Sequence, residues 1–255
     1  MTSIAAAWRW LRSLLFILQM YLVMAMMALV FAPWAAFDRR GAFCAVRNYC
    51  RWVRLSARWL VGLHSEIRGP IPGDEVLIAS KHQSFLDIIL ICSVVPRPKF
   101  IMKKQLVWAP IVGWYARLIG CVAVDRGKGG AAMRQMVADV RAGRSQPGQL
   151  IIFPQGTRVA PGAQRPYKIG TGVLYAETGQ ACVPAATNVG VFWPRQSLLR
   201  RPGLAVVEFL PPIAPGLETQ TFMAHLTEAV ETASDRLMAE AGFQAKETPV
   251  PPRAT

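Results

Sequence analysis

An uncharged run of twenty-five residues near the N-terminus constrains this chain more than any other feature. Residues 13–37 contain no charged side chain, and Gln19 is their only strongly polar member. A helix of that length measures about 37 Å, which is enough to cross the roughly 30 Å hydrocarbon core of a bilayer. The run exceeds the apolar core of a secretory signal, and no small-residue cleavage site clearly follows it. The sequence therefore predicts a membrane-associated helix.

Four arginines follow this run at helical spacing. Arg47, Arg51, Arg54 and Arg58 are separated by four, three and four positions, with no acidic residue among them. The pattern predicts a helix with one basic face. One interpretation is a solvated face on a helix that covers the core. The other is a helix in the headgroup layer with its arginines on lipid phosphates, and the lack of pairing acids favours it.

Charge and hydropathy narrow the class of protein. The chain has 29 basic and 15 acidic residues, a net charge of +14, yet 53% of its residues are hydrophobic and only 17% are charged. This composition excludes intrinsic disorder and a coiled coil. A chain both apolar and basic indicates a membrane surface or phosphate-bearing ligands. No nucleic acid partner is expected, because the aromatic residues cluster near the N-terminus instead of alternating with Lys and Arg.

Beyond residue 69 short apolar runs alternate with helical periods. Strands are predicted over 75–80, 98–102, 121–124, 149–153, 183–187 and 204–209, and helices over 84–95, 105–119, 130–142, 167–178 and 220–241. This alternation predicts an α/β fold, a mostly parallel sheet flanked by helices. The chain then divides into a membrane-associated helical region (1–64), an α/β domain (65–245) and a flexible tail (246–255) that contains three prolines.

The first motif that can carry chemistry follows the strand at 75–80. His82 and Asp87 would face apart if both were helical, since five residues turn through about 500°. They can meet only if His82 lies in the turn before the helix, and Ser84 marks that boundary. Ser84 and Asp87 also form a capping box, which explains Asp87 structurally but leaves His82 unexplained. A histidine beside a carboxylate is held in one tautomer, with Nε2 free to accept a proton.

Two further motifs follow predicted strands. The segment from Gly120 to Arg126 is an apolar strand that ends in a charged pair, which on its own indicates no more than a local ion pair. The segment from Phe153 to Arg158 is a buried strand that Pro154 ends and a Gly-Thr turn follows. Such a turn is either an ordinary tight turn with a surface arginine, or it presents N–H groups, a hydroxyl and a guanidinium to one anion.

Together these motifs resemble the glycerolipid acyltransferase family, which carries the blocks H-x-x-x-x-D, G-x-x-x-x-x-R, F-P-E-G-T-R and V-P in this order. The matching positions here are His82 to Asp87, Gly120 to Arg126, Phe153 to Arg158 and Val183-Pro184, with a further similarity at Lys103-Lys104-Gln105-Leu106. The resemblance covers about residues 65–215. Two positions depart from the family: Lys81 stands where Asn is frequent, and Gln155 where Glu is commoner.

The resemblance implies acyl transfer without a protein nucleophile, and no G-x-S-x-G elbow or P-loop is present. His82 would take the proton from the acceptor hydroxyl, which attacks an acyl thioester, while Asp87 orients His82. The residues implied for the acceptor phosphate are Lys103, Arg126, Gln155, Gly156, Thr157 and Arg158. No metal and no other cofactor is implied; acyl-CoA or acyl carrier protein is the co-substrate. The scattered cysteines, with no C-x-x-C pair, are expected to be reduced thiols of a cytosol-facing protein.

The implied reaction acylates the sn-2 hydroxyl of 1-acyl-sn-glycerol-3-phosphate and gives phosphatidic acid for phospholipid biosynthesis. Two alternatives stay open: an acyltransferase for another lysolipid, such as lyso-ornithine lipid, and a non-catalytic protein that binds anionic lipid. The implied partners are both substrates and the bilayer, with the catalytic domain at the cytoplasmic face of the cell membrane. Arginines flank both ends of the apolar run, so charge does not decide whether residues 13–37 span the bilayer or enter one leaflet.

Overall fold

The computed structural model describes residues 3–124, 134–135, 137–138 and 147–244. Two long helices open the chain, α1 (Ser3–Phe37) and α2 (Arg39–Val61). Asp38 separates them and caps α2, because its side chain accepts a hydrogen bond from the Arg40 amide at 2.8 Å. Gly62 ends α2 in the left-handed conformation, at φ 67°.

The two helices form an antiparallel hairpin. Near its open end the Arg12 side chain donates to the carbonyls of Trp59 and Leu60. Near its closed end Gly41 allows close approach, since a Cβ there would lie 2.7 Å from the Ala35 amide nitrogen. The hairpin therefore holds α1 along the whole length of α2.

The basic face of α2 is divided between the protein and the surface. Arg47 Nη2 donates to the Pro96 carbonyl at 2.7 Å, and Arg54 Nη1 donates to Ser93 Oγ at 2.8 Å. Arg51 and Arg58 remain exposed, although Arg51 Nε also reaches the Ser93 carbonyl at 3.4 Å. Neither predicted interpretation describes the whole face. The physical reason is the nearby end of α3 (Leu86–Val94), whose negative terminus and unpaired carbonyls attract cations.

The α/β fold is confirmed as a seven-stranded sheet in the order β1-β7-β6-β2-β5-β3-β4. All neighbouring pairs are parallel except β6 with β7. The strands are β1 (Leu63–Arg68), β2 (Leu77–Ser80), β3 (Pro98–Lys103), β4 (Val122–Val124), β5 (Gln149–Ile152), β6 (Cys182–Thr187) and β7 (Gly203–Phe209). No sequence pattern predicted β1, because it is a half-exposed edge strand without a continuous apolar run. It begins at Leu63, two residues before the predicted start of the α/β domain.

The remaining helices are α4 (Pro110–Leu118), α5 (Gly170–Thr178) and α6 (Thr219–Glu240), with two 3-10 turns at Lys104–Trp108 and Val189–Val191. The helix predicted over 105–119 is interrupted, because Pro110 cannot donate within a helix and starts a new one instead. Of the helix predicted over 130–142, only residues 134–135 and 137–138 lie in the described chain, and they are helical.

Helices cover both faces of the sheet. Ile78 of β2 packs with α2 and α3, while its neighbours Leu77 and Ala79 pack with α5 and α6. Every residue of β2, β5 and β6 is consequently buried, as expected for central parallel strands. Their carboxyl ends meet at one edge of the sheet, where the first and third motifs begin.

Candidate active site

His82 and Asp87 form a hydrogen-bonded pair just beyond β2. The distance from His82 Nδ1 to Asp87 Oδ1 is 2.9 Å, and Asp87 is completely buried. As predicted, His82 lies in the turn before the helix, which begins at Leu86. A carboxylate beside Nδ1 fixes the tautomer with the proton on Nδ1, so that Nε2 carries the free lone pair.

Asp87 serves the helix terminus at the same time. Its Oδ2 accepts from the amides of Gln83 at 2.8 Å and Ser84 at 2.9 Å, and Ser84 Oγ accepts from the Leu86 amide at 3.2 Å. Only the Asp87 half of the predicted capping box is present, because Ser84 Oγ binds the Leu86 amide and not that of Asp87. These bonds coexist with the His82 contact, since they use Oδ2 while Oδ1 binds His82 and the Ile88 amide. The cap fixes Asp87, and Asp87 fixes the imidazole.

The third motif, Phe153 to Arg158, contacts His82 from the side of β5. Phe153 stacks on the His82 ring, with centroids 4.0 Å apart and planes at 20°. Val159, just after the motif, donates its amide to the His82 carbonyl at 2.7 Å. Both ring orientation and backbone position of His82 thus depend on this motif, and only 14% of the histidine side chain is exposed.

Lys168, a residue that the sequence did not identify as part of the site, lies against the Gly156 turn. Gly156 has φ +70°, and a Cβ there would lie 2.9 Å from Lys168 Nζ and from Lys168 Cε. The Lys168 amide donates to the Pro154 carbonyl at 3.0 Å, which fixes the lysine backbone beside the turn. Lys168 is ten residues beyond the motif and falls within the helix predicted over 167–178, but that pattern did not mark it as a site residue.

The other residues implied for the acceptor have different surroundings. Gln155 is buried; its Nε2 donates to the Arg165 carbonyl at 3.4 Å, and its Oε1 has no partner within the described part of the chain. Thr157 and Arg158 are half-buried in the turn. Lys103 is exposed at the end of β3, next to β5 in the sheet. Arg126 lies outside the described residues.

Lys81, one of the two departures from the family pattern, forms an ion pair beneath the histidine. Its Nζ bonds to Glu231 of α6, and Tyr167 Oη donates to the other Glu231 oxygen at 2.8 Å. Only 2% of the Lys81 side chain is exposed. Burial, followed by the Glu231 charge, raises the pKa of Tyr167. This network joins the His82 turn to α6 and to the segment before α5.

No group of three or more His, Cys, Asp or Glu side chains within 3–124 and 147–244 is placed to hold a metal ion. The five cysteines are free, and burial raises the pKa of Cys121 and of Cys182 to about 12. Thiols with such a pKa are not activated nucleophiles.

Comparison with known proteins decides the family. The model of the family described as Acyltransferase matches residues 63–188, the stretch that contains the His82-Asp87 pair and the Gly156 turn. Residues 63–188 form an acyltransferase-family domain. The matched stretch begins with β1 and ends just beyond β6.

Named relatives within this acyltransferase family are similar over much of the chain. A 1-acyl-sn-glycerol-3-phosphate acyltransferase from Pseudomonas aeruginosa is 28% identical over 211 residues, covering 82% of each chain. The alpha form from Mus musculus is 29% identical, covering 67% of this chain and 65% of its own length. The crystal structure of a 1-acyl-sn-glycerophosphate acyltransferase from Thermotoga maritima superposes with a TM-score of 0.73, at 21% identity, over 91% of this chain and 99% of that one. It shares the fold.

Proposed function

We propose that this acyltransferase moves an acyl group from a thioester to the sn-2 hydroxyl of 1-acyl-sn-glycerol-3-phosphate, giving phosphatidic acid. The observation that carries the proposal is the His82-Asp87 pair, hydrogen-bonded at 2.9 Å and stacked on the first residue of the Phe153–Arg158 motif. The proposed base, His82, and the proposed phosphate-binding turn at Gly156 therefore lie on the same side of the site. The relatives from Pseudomonas aeruginosa and Mus musculus are named for this reaction.

The proton follows a short route. His82 Nε2 accepts the proton of the acceptor hydroxyl as its oxygen forms a bond to the thioester carbonyl carbon. The tetrahedral intermediate collapses by breaking the carbon–sulfur bond, and the imidazolium returns the proton to the departing thiolate. Asp87 stabilises the imidazolium through Nδ1 and changes no bond itself. The acyl ester and a free thiol are the products.

The acceptor phosphate fits the Gly156 turn. Arg158 offers a forked guanidinium, which matches phosphate geometry, and Lys168 adds an ammonium on the same turn. Thr157 contributes a hydroxyl and Gln155 remains neutral beside the anion. Lys103 and Arg126 complete the proposed set on the strength of their motif positions. Because the turn also contacts His82 through Phe153, phosphate binding aligns the nearby hydroxyl with the base.

The membrane-facing helix α1 supports an interfacial position. It is long and apolar enough to cross a bilayer by length and composition. Its buried side, however, packs on the protein from Ser13 to Ala35, a distance of about 33 Å along a helix. Ser13 Oγ accepts from the Arg200 backbone amide at 3.0 Å, and the Ala28 carbonyl accepts from Tyr115 Oη at 2.8 Å. A transmembrane α1 would draw these attached parts of the protein into the hydrocarbon. We therefore propose that α1 lies in one leaflet of the cell membrane, with the catalytic edge facing the cytosol.

Two alternatives are less well supported. A protein that only binds anionic lipid has no use for a carboxylate-oriented histidine, so the His82-Asp87 pair disfavours it. An enzyme for another lysolipid, such as lyso-ornithine lipid, would not need Arg158 and Lys168 together at the Gly156 turn. The proposed donor is acyl-CoA or acyl carrier protein, and both release a thiol.

The decisive experiment measures free thiol released by the purified full chain. Lysophosphatidate and lyso-ornithine lipid are compared in the same vesicles, each with acyl-CoA and with acyl carrier protein. The proposal expects thiol release that depends on lysophosphatidate and is lost in His82→Ala. Equal release without acceptor, or a preference for lyso-ornithine lipid, would overturn the substrate assignment. His225→Ala, an exposed histidine on α6, is the matched control.

A further inference from the structure

A basic cavity lies between α2 and the edge strand β1, away from the His82-Asp87 pair. It is an open surface groove of about 480 Å³ and not an enclosed pocket. The residues that line it include Arg51, Arg54, Leu55, Arg58, His64, Glu66 and Leu204. The proposed reaction uses none of them.

The acidic side chains that line this cavity do not balance the positive charge of its arginines. Arg51, Arg54 and Arg58 lie on successive turns of α2, where like charges repel. Glu66 is the one carboxylate that lines the cavity, and Arg68 already holds it at 3.2 Å. Arg54 is fixed by Ser65 Oγ at 2.9 Å and Ser93 Oγ at 2.8 Å. The guanidinium of Arg54 is therefore fixed, and the exposed guanidinium groups of Arg51 and Arg58 lie beside it. A bound anion would stabilise this cluster of positive charges.

The surroundings of the cavity are apolar and aromatic. Leu55 and Leu204 line it and remain exposed, and Trp59, next to Arg58, is 68% exposed. Arg12 bonds to the Trp59 carbonyl, which brings the first turns of α1, with exposed Trp8 and Trp10, to the same end of α2. Tryptophan concentrates at the boundary between headgroups and acyl chains, one layer from the lipid phosphates.

Sheet topology places one end of the cavity at the catalytic edge. The strand β1 is parallel to β7, and β7 is antiparallel to β6, so β1 begins where β2 and β6 end. His64 at the start of β1 and His82 after β2 therefore lie at one edge of the sheet, with β7 and β6 between these strands. A bilayer along this edge therefore reaches the His64 end of the cavity, while Arg51 and Arg54 lie further along α2, beside Ser93 at the far end of α3.

From this combination we infer that the cavity binds the phosphate group of an anionic membrane lipid, as an anchoring site separate from the acceptor pocket. Arg51 and Arg58 bind the phosphate oxygens, Arg54 supplies the fixed charge, and Trp59 lies among the adjoining acyl chains. The ligand is held in place and is not consumed. The inference uses the proposed interfacial position of α1 but does not depend on which lysolipid is acylated.

The first test measures binding of the full chain to vesicles of phosphatidylcholine with and without phosphatidylglycerol. Arg51→Gln with Arg58→Gln should lower partitioning onto phosphatidylglycerol vesicles by about tenfold or more, since each basic residue near an anionic surface contributes about a factor of five. Arg39→Gln with Arg40→Gln removes the same charge from the other end of α2 and should cost clearly less. An equal loss in both variants would show a diffuse charge effect and overturn the proposal.

A second variant changes the volume of the cavity and leaves its three arginines in place. Leu204→Trp should obstruct part of the cavity and reduce binding to phosphatidylglycerol vesicles severalfold, although it adds an apolar ring. Unchanged or stronger binding by a folded Leu204→Trp protein would contradict the cavity as the site. Thiol release from detergent-solubilised lysophosphatidate should stay at the parent rate in both variants, which separates this site from the proposed reaction.

Competition identifies the source of the phosphate. Inorganic phosphate at millimolar concentration should not displace the protein from phosphatidylglycerol vesicles at constant ionic strength, because a lipid adds the contact with Trp59. Displacement by inorganic phosphate would assign the cavity to a soluble anion. The variant with Arg51→Gln and Arg58→Gln could instead bind vesicles like the parent and lose rate only with acyl carrier protein as donor. That result would assign the cavity to the acidic carrier protein. Either result would overturn the lipid proposal.

Discussion

At the scale of single residues, the site depends on the two carboxylate oxygens of Asp87, which have different hydrogen-bond partners. Asp87 Oδ1 binds the histidine and Oδ2 binds the amides of Gln83 and Ser84. A substitution at Asp87 therefore changes the helix terminus and the imidazole together. A substitution at His82 leaves the cap in place, which makes it the cleaner probe of chemistry.

His82→Ala should lower kcat at least about a hundredfold, because removal of a general base typically costs that much. The bonds from Asp87 to the Gln83 and Ser84 amides are retained, so the circular dichroism spectrum should stay close to that of the parent, while the lost stacking and hydrogen bond should lower the melting temperature moderately. Steady-state kinetics with lysophosphatidate measure the effect. A folded variant with nearly parental kcat would exclude His82 as the base.

Arg158→Ala and Lys168→Ala should each raise the KM for lysophosphatidate, with a smaller effect on kcat. Arg158→Lys should restore binding only in part, because an ammonium lacks the forked geometry of the guanidinium. The KM for the thioester donor is the internal control and should not change. If the acceptor KM of all three variants equals that of the parent, the phosphate binds elsewhere.

At the scale of elements, a buried ion pair connects the catalytic turn to α6. Lys81→Met leaves Glu231 without its ammonium partner and should destabilise the fold by about 3 kcal/mol, the usual cost of breaking a buried pair. Glu231→Gln should cost a similar amount, and the double variant less than the sum of the two. Urea unfolding of the three variants gives these free energies. Strict additivity would show that Lys81 and Glu231 act independently.

The outer face of α1 is expected to hold the protein at the membrane. Leu18 and Leu22 are 67% and 68% exposed, so Leu18→Asp with Leu22→Asp should release the chain from vesicles without altering its core. Replacing both by Ala, which keeps the face uncharged, is the matched control and should cost less. Flotation with lipid vesicles measures the bound fraction. Full retention of the aspartate variant would place the membrane contact on another surface.

At the scale of the whole molecule, the helical hairpin is part of the main core. Val53, Ala57 and Val61 of α2 pack with α3 and with the central strands, and Phe16 of α1 stacks edge-on against Trp193. Deletion of residues 1–64 also removes the first two residues of β1. The truncated chain should therefore aggregate or lose its cooperative melting transition, rather than become a soluble enzyme. A soluble, active product would show that the α/β domain is autonomous.

Local patterns determined much of this architecture. The six predicted strands and most of the predicted helices have close counterparts, because alternation and helical spacing are properties of neighbouring residues. The position of His82 before the helix also followed from the sequence, since a helical arc would hold it apart from Asp87. The motifs at the ends of β2 and β5 came together because those strands are parallel neighbours.

Tertiary packing decided what distant residues do. The ion pair of Lys81 with Glu231 joins positions 150 residues apart, and β1 exists through its pairing with β7. The basic pattern of α2 gave no sign that Arg54 binds Ser93 while Arg58 stays exposed, because the end of α3 reaches only part of that face. Lys168 lies against Gly156 because the chain returns to the turn before α5. Sequence spacing encodes local geometry, whereas these partners are chosen by which surfaces the folded core brings into contact.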